Sequence, residues 1–328
     1  MVMQKINIGI VGGAGYTGGE LLRVLLRHPN ANIRFVHSTS SAGELVSKVH
    51  ADLVGDTDLQ FTNTLDKNID LLFLCVGHGD AKKFLASNAI NANVKIIDLS
   101  QDFRLAATAS IGDKHFVYGL PELQKAAIQK ANYIANPGCF ATAIQLGLLP
   151  LAAKGLLKEV HTTGITGSTG AGQGLATTSH FSWRANNIQA YKTLQHQHLN
   201  EIGESLTALQ GNQNAAVHFV PWRGDFTRGI FVTSVVDSDL SIEAVYDVYN
   251  AYYEAHPFTH VSKNNIDLKQ VVNTNKCLIH IEKQGNKIAI HSVIDNLLKG
   301  AVGQAVQNMN LLFGWEETIG LQLKANYF

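Results

Sequence analysis

Ile6-Asn7-Ile8-Gly9-Ile10-Val11 runs into Gly12-Gly13-Ala14-Gly15-Tyr16-Thr17-Gly18, and then into Gly19-Glu20-Leu21-Leu22-Arg23-Val24-Leu25-Leu26-Arg27. A short apolar run ending in glycines reads as a strand buried on both faces. Leu21, Leu22, Leu25 and Leu26 share one side of a helix expected over residues 20–27. Glycines 12, 15 and 18, placed between strand and helix, let the main chain turn tightly and bring a phosphate to the helix N-terminus. The competing reading is an ordinary βα turn that needs positive φ. Outward from this loop, strand-like runs recur at 33–37, 69–76 and 94–99, with a helical pattern at 81–89. Strands alternating with helices predict a Rossmann-type doubly wound parallel sheet, an α/β fold.

The texture changes after Gly155. Residues 160–166, 215–221, 229–236, 276–281 and 287–293 read as strands, which predicts an α+β domain with a largely antiparallel sheet. One helix, 241–255, has Ser241 as N-cap and Glu243 in its first turn. A last helix, about 295–313, puts Leu297, Leu298, Ala301, Ala305 and Met309 on one face. The expected organisation is a dinucleotide-binding domain, 1–145, completed by the C-terminal helix within 296–328, and a second domain, 146–295.

With 328 residues the chain suffices for two domains and a large core. Lys+Arg and Asp+Glu both number 26, so formal charge is zero and nothing points to nucleic acid or an anionic membrane. Charged residues make up only 16%, against a usual ~25%, which suggests that another subunit covers part of the surface. The longest apolar run, 71–76, is far below the ~20 residues of a membrane helix. Residues 1–5 lead straight into the first strand, so no signal peptide and a cytoplasmic location are expected. Three cysteines form neither a disulfide framework nor a metal cluster, and no metal is expected.

Three places carry chemistry. The second strand ends in His37-Ser38-Thr39-Ser40-Ser41, hydroxyls without a carboxylate, which favours NADP over NAD because nothing there repels a 2′-phosphate. Asn136-Pro137-Gly138-Cys139 puts a thiol at the first turn of a helix running to 153, where the dipole lowers a thiol pKa. Against this, a cysteine among Ala, Phe and Ile is often a small buried hydrophobe. Cys75 and Cys277, inside apolar strands, read as structural. In His196-Gln197-His198, Glu201 lies three residues past His198 and would orient its ring on a helix. Two exposed histidines on a polar helix are the alternative.

Several segments together resemble one family. They are GGAGYTGGEL at 12–21, DLSQDFRL at 98–105, YGLPEL at 118–123, NPGCFAT at 136–142, TGSTGAG at 166–172, HQHLNEI at 196–202 and DNLLKGAVGQAVQNMN at 295–310. In family order, they make the chain similar to N-acetyl-γ-glutamyl-phosphate reductase, a relative of aspartate-semialdehyde dehydrogenase. The resemblance implies NADPH-dependent reduction of an N-acyl-γ-glutamyl phosphate to the semialdehyde in arginine biosynthesis, through a thioester on Cys139. It implies Gly12, Gly15, Tyr16, Thr17 and Gly18 at the cofactor, with Ser38 and Ser40 at the adenosine phosphate and Asn296 and Gly300 near the nicotinamide. His196 or His198 supplies acid/base chemistry with Glu201. Where the family carries arginine, this chain has Gln173 and Gln197, so another cation must hold the substrate's anionic groups, with Arg104, Arg184, Arg223 and Lys192 as candidates. Arg104 and Arg184 are assigned to substrate, with Ser168 and Gln173, and an N-succinyl substrate stands beside N-acetyl. The alternatives are aspartate-semialdehyde dehydrogenase, a LysW-linked aminoadipate phosphate reductase, or a non-catalytic NADP-sensing regulator. The expected partners are the small acyl-phosphate substrate and further copies of the chain, as homodimer or homotetramer.

Overall fold

The computed structural model describes residues 5–328, so residues 1–4, on which the reading of a leaderless N-terminus rests, lie outside it. In its first part come β1 (Ile6–Val11), α1 (Tyr16–Leu25), β2 (Ala31–His37), β3 (Phe61–Thr62), β4 (Leu71–Leu74), α2 (Asp80–Ser87), β5 (Lys95–Asp98), β6 (Val117–Tyr118), α3 (Pro121–Lys130) and β7 (Tyr133–Ala135). Seven strands form one parallel sheet in the order β3-β2-β1-β4-β5-β7-β6. The order reverses between β1 and β4, and open α/β sheets take ligands at the carboxyl ends of strands beside such a point. Ile8 and Ile10 are fully buried, as the apolar run requires. Helix α1 starts at Tyr16, four residues before the expected start at residue 20, and so includes Gly18 and Gly19. Glycine is a poor helix former, but a Cβ on Gly18 would lie 2.6 Å from the Gly12 carbonyl oxygen. Close packing overrides propensity there.

The second part holds α4 (Cys139–Ala152), β8 (Glu159–Thr166), β9 (Gln189–Ala190), α5 (His198–Leu209), β10 (Ala216–Arg223), β11 (Ile230–Asp237), α6 (Ile242–Tyr253), β12 (Thr259–Ser262), β13 (Cys277–Gln284) and β14 (Lys287–Ile294). Its seven-stranded sheet runs β9-β10-β8-β11-β14-β13-β12. β8/β10 and β12/β13 are parallel and the other four pairs antiparallel, so the sheet is mixed and mostly antiparallel. Helix α4 packs on this sheet with Phe140 and everything after it buried. Pro150 has no N–H to give the Leu146 carbonyl one turn back. The Tyr253 hydroxyl donates to that carbonyl instead, and Tyr249 donates to Gly147 O at 2.6 Å.

The chain divides into two compact units: everything up to Pro137 with Ala301–Gln322, and Gly138–Gly300 with Leu323–Phe328. The first boundary falls at Pro137, where 145 was expected, because a cut at 145 would split the single helix α4. The end of the chain also divides. Asn326 N–H donates to Val272 O at 3.0 Å, within the second unit. The closing helix, expected from 295, begins as a π-helical turn at Leu298–Val302 and continues as Gly303–Leu312. Asp295 is no helix residue: fully buried, it forms a two-pronged ion pair with Arg228 (3.0 and 3.1 Å). It also accepts from the N–H groups of Asn273, Leu297 and Leu298 at 2.7–3.0 Å. Among the described residues no helix is long and apolar enough to cross a membrane.

Candidate active site

Cys139 is the first residue of α4, and Gly138 before it is extended, with no side chain capping the helix. The dipole at this helix start therefore favours a negative charge. Gly138 N–H donates to Glu201 Oε2 at 3.1 Å, and a Cβ at 138 would run into the His198 ring. Gly300 closes in from the other direction, since a Cβ there would lie 2.8 Å from Cys139 Cβ. Cys139 is half-buried, whereas Cys75 and Cys277 are buried. Burial, with Asp98 nearby, pushes the Cys75 thiol up to about 12, which makes it inert.

The two histidines differ in surroundings. His198 Nε2 stands 3.9 Å from Glu201 Oε1, one helical turn on, with its ring against Gly138. His196 sits edge-on to Phe140, Tyr191, Phe219 and His198. Its Nδ1 accepts from the His198 main-chain N–H at 3.3 Å, which leaves any ring proton on Nε2. Burial, aided by the Lys192 charge, lowers its pKa to about 4. His196 is thus a neutral member of an aromatic cage at pH 7. Glu201, 4% exposed, ties the helix bearing His198 to the residue preceding the thiol.

The structure brings Cys139, His196, His198, Glu201 and Gly300 together, and the remaining expected residues fall elsewhere. Asn296 has both ends of its amide engaged within its own unit, accepting from Gly229 N–H (2.7 Å) and donating to Thr169 Oγ1 (3.0 Å). Ser168 opens the turn Ser168–Ala171 and Gln173 is exposed. Gln197 Oε1 accepts from Lys192 Nζ at 2.8 Å. In the first unit, Arg104 is buried and donates to the Asn136 and Leu99 carbonyls (2.8 and 3.0 Å). Asn308 Nδ2 donates to Gly119 O and Asn136 Oδ1, and Asn136 Nδ2 to Ala301 O. These bonds explain why YGLPEL, NPGC and the C-terminal motif occur together. Asp102 accepts from the N–H groups of Gly79 and Lys82 and so caps α2 from a distance.

Tyr191 is the residue that sequence reasoning missed; it lies against Arg223, one of the four cations the sequence offers in place of the absent arginines. Burial raises the Tyr191 hydroxyl pKa, and the Cys139 charge raises it further while Arg223 opposes. The Arg223 guanidinium lies 4.8 Å from the Tyr191 ring centre. Only the pairing of β9 with β10, Gln189 opposite Arg223, brings them together. No spacing in the sequence signals it.

In the glycine loop Gly12 adopts φ 81°, and a Cβ there would strike the Cys75 carbonyl. Gly15 caps α1 without any side-chain bond, and the first turn holds no acidic residue. Thr17 reaches the Cys75 thiol, and Tyr16 is exposed. Ser38 is buried with its Oγ 3.3 Å from Ser40 Oγ. An open helix N-terminus behind a loop that tolerates no side chain suits a dinucleotide's phosphates.

Residues 7–131 match the family model for the semialdehyde dehydrogenase NAD binding domain, and 139–296 match that for the semialdehyde dehydrogenase dimerisation domain. Among solved structures, aspartate semialdehyde dehydrogenase II of Vibrio cholerae, complexed with ASA, superposes with a TM-score of 0.76. It is 19% identical, over 95% of this chain and 99% of that one. The Candida albicans aspartate semialdehyde dehydrogenase with NADP gives 0.68 at 14% identity, over 96% and 100%. These likenesses establish the fold. Two curated relatives named N-acetyl-gamma-glutamyl-phosphate reductase, from Flavobacterium johnsoniae and Parabacteroides distasonis, are each 55% identical. Each match covers 98% of this chain and all of the relative. With that identity along nearly its whole length, and both domain models matching in order, the chain belongs to the N-acetyl-gamma-glutamyl-phosphate reductase family of the semialdehyde dehydrogenases.

Proposed function

We propose that this enzyme reduces an N-acyl-γ-glutamyl phosphate to N-acyl-glutamate 5-semialdehyde and phosphate with NADPH, as a step of arginine biosynthesis. The observation that carries the reading is the half-buried Cys139 at an uncapped helix start, with His198 and Glu201 packed against Gly138. The thiolate of Cys139 attacks the γ-acyl carbon, the C–S bond forms, and the C–O bond to phosphate breaks with phosphate carrying the electron pair away. Main-chain N–H groups at the start of α4 hold the oxyanion that develops on the acyl oxygen. His198, steadied by Glu201, takes the thiol proton before attack and holds a proton for the oxygen or sulfur when the C–S bond breaks. His196 supports its main chain and keeps water away.

NADPH, when bound, supplies the hydride that takes the acyl carbon to the aldehyde level. Gly12, Gly15 and Gly18 with Tyr16 and Thr17 hold its phosphates, and Ser38 and Ser40 hold the 2′-phosphate. Arg104 acts by tying Asn136 to the end of β5, while Ser168 and Gln173 border the substrate. Asn296 positions Thr169, and Gly300 leaves room beside the thiol. We infer a homodimer or homotetramer from the exposed Leu175, Phe181, Trp183, Ile188 and Leu194, grouped within one segment. A cytoplasmic setting follows from a mechanism that needs a free thiol.

The test is phosphate-dependent reduction of NADP by N-acetyl-glutamate 5-semialdehyde, run beside NAD. NADP should be preferred at least roughly tenfold in kcat/KM, about 1.4 kcal/mol. Activity without phosphate dependence overturns the acyl-phosphate assignment, and equal rates with NAD overturn the role of Ser38 and Ser40.

A further inference from the structure

Arg184 ends the short helix Phe181–Arg184 and is 7% exposed, yet two of its three guanidinium nitrogens, Nε and Nη2, lack any hydrogen-bond partner. The third, Nη1, reaches only the Arg223 carbonyl, at 3.4 Å. Arg223 is half-buried: its Nε lacks a partner, its guanidinium lies over the Tyr191 ring, and its side chain bonds the Tyr191 hydroxyl. Among the described residues no carboxylate pairs with either group. Asp225, the nearby acid, instead accepts from Asn186 N–H at 2.5 Å. Lys192 is taken up by Gln197. Buried charges in folded proteins are paired, because water withdrawn from an ion must be replaced. The buried Arg184 guanidinium, in contact with the Arg223 main chain and without a protein counter-ion, implies an anion from outside the chain. Tyr191 links them to the chemistry, since its ring lies 5.8 Å from that of His196, which stands 5.7 Å from Phe140, the residue after Cys139.

We propose that Arg184 and Arg223 form a receptor for a carboxylate of the substrate, held beside Tyr191 while the γ-acyl group is joined to Cys139. The proposal rests on the reductase reading above. A planar guanidinium with free N–H groups on two edges matches a carboxylate in two-pronged fashion. Two carboxylates have this chemistry: the α-carboxylate of the glutamyl unit, and the one ending an N-acyl group derived from a dicarboxylic acid. An N-acetyl substrate brings one negative charge to two cations, and an N-succinyl substrate brings two.

The experiment uses the full-length enzyme and two unreactive probes, N-acetyl-glutamate and N-succinyl-glutamate, titrated calorimetrically into wild type, Arg184→Met and Arg184→Lys. Arg184→Met should lose at least roughly tenfold in affinity, and Arg184→Lys should recover part of it by restoring charge without the fork. Equal loss with both probes assigns the α-carboxylate, and loss confined to N-succinyl-glutamate assigns the acyl end. Because the guanidinium lacks a protein partner, Arg184→Met should melt no lower than wild type without ligand. Unchanged affinity for both probes, or a large fall in melting temperature in both variants, overturns the receptor. Phosphate-dependent turnover of wild type, measured in parallel, reports on the reductase reading separately. Turnover with unaltered binding in the variants removes the receptor and keeps the enzyme.

Discussion

At the scale of the residue, two histidines that look equivalent in His196-Gln197-His198 are set apart by what surrounds them. His198 stands against the residue before the thiol, while His196 is enclosed by aromatic rings. His198→Gln should lower kcat/KM by about 10²–10⁴-fold, the range for a lost general acid or base. His196→Gln should cost less than about tenfold, and the reverse ranking would contradict the assignment. The same difference shows in the pH dependence of stability. His196 has a pKa near 4 when folded and ordinarily 6.5, so between those values the unfolded chain binds more protons. It therefore leaves stability unchanged above pH 6.5 and lowers it as pH falls toward 4. Asp98, raised to about 6 chiefly by burial, has the opposite sign: its contribution is present below about 4 and lost as pH rises through 6. The His196 part is thus the difference between wild type and His196→Gln. Melting curves at pH 7 and pH 5 should show wild type losing more on acidification, and equal losses would contradict a buried neutral ring. From the sequence the choice between these histidines was open, because pocket walls from four different elements decide it.

At the scale of the element, period was legible and tertiary overrides were not. The apolar run of β1 and the helix starting after Pro137-Gly138 were both readable, and alternation predicted β8 within a residue at its start. The segment 295–300 misled because Asp295, Asn296 and Leu297 resemble a helix N-terminus. Their bonds instead go to Arg228, Gly229, Thr169 and Asn273, distant in sequence. Asp295→Ala would remove the buried carboxylate paired with Arg228 and an acceptor shared by three main-chain N–H groups. It should cost about 3–5 kcal/mol in denaturant unfolding. A loss below about 1 kcal/mol would show that the hub is dispensable. Gly300 is a second constraint that composition hides. Gly300→Ala puts a Cβ 2.8 Å from Cys139 Cβ and should displace the thiol. Turnover should fall at least about 10²-fold, since a shift near 1 Å in a reacting group has that effect. Wild-type activity in Gly300→Ala would mean that α4 gives way without moving the sulfur.

At the scale of the whole molecule, the two-part plan was visible as a change from βα alternation to successive strands, and both seven-stranded sheets follow it. The parallel pairs β8/β10 and β12/β13 were not visible, because a parallel partner lies across an intervening helix or loop and leaves no local mark. The exposed Leu175, Phe181, Trp183, Ile188 and Leu194 are the surface on which the proposed self-association rests. Sedimentation at micromolar concentration should give a dimer or tetramer, and a 35.6 kDa species would contradict it. The central claim remains chemical: that the acyl group passes through a covalent bond to Cys139. Its most direct test is intact-protein and peptide mass spectrometry after supplying the acyl phosphate, generated in place by a kinase, without NADPH. The account predicts one adduct of the mass of the N-acyl-glutamyl group, on the peptide containing Cys139, labile to hydroxylamine and discharged when NADPH is added. An adduct on another residue, or steady turnover by Cys139→Ser within tenfold of wild type, would contradict it.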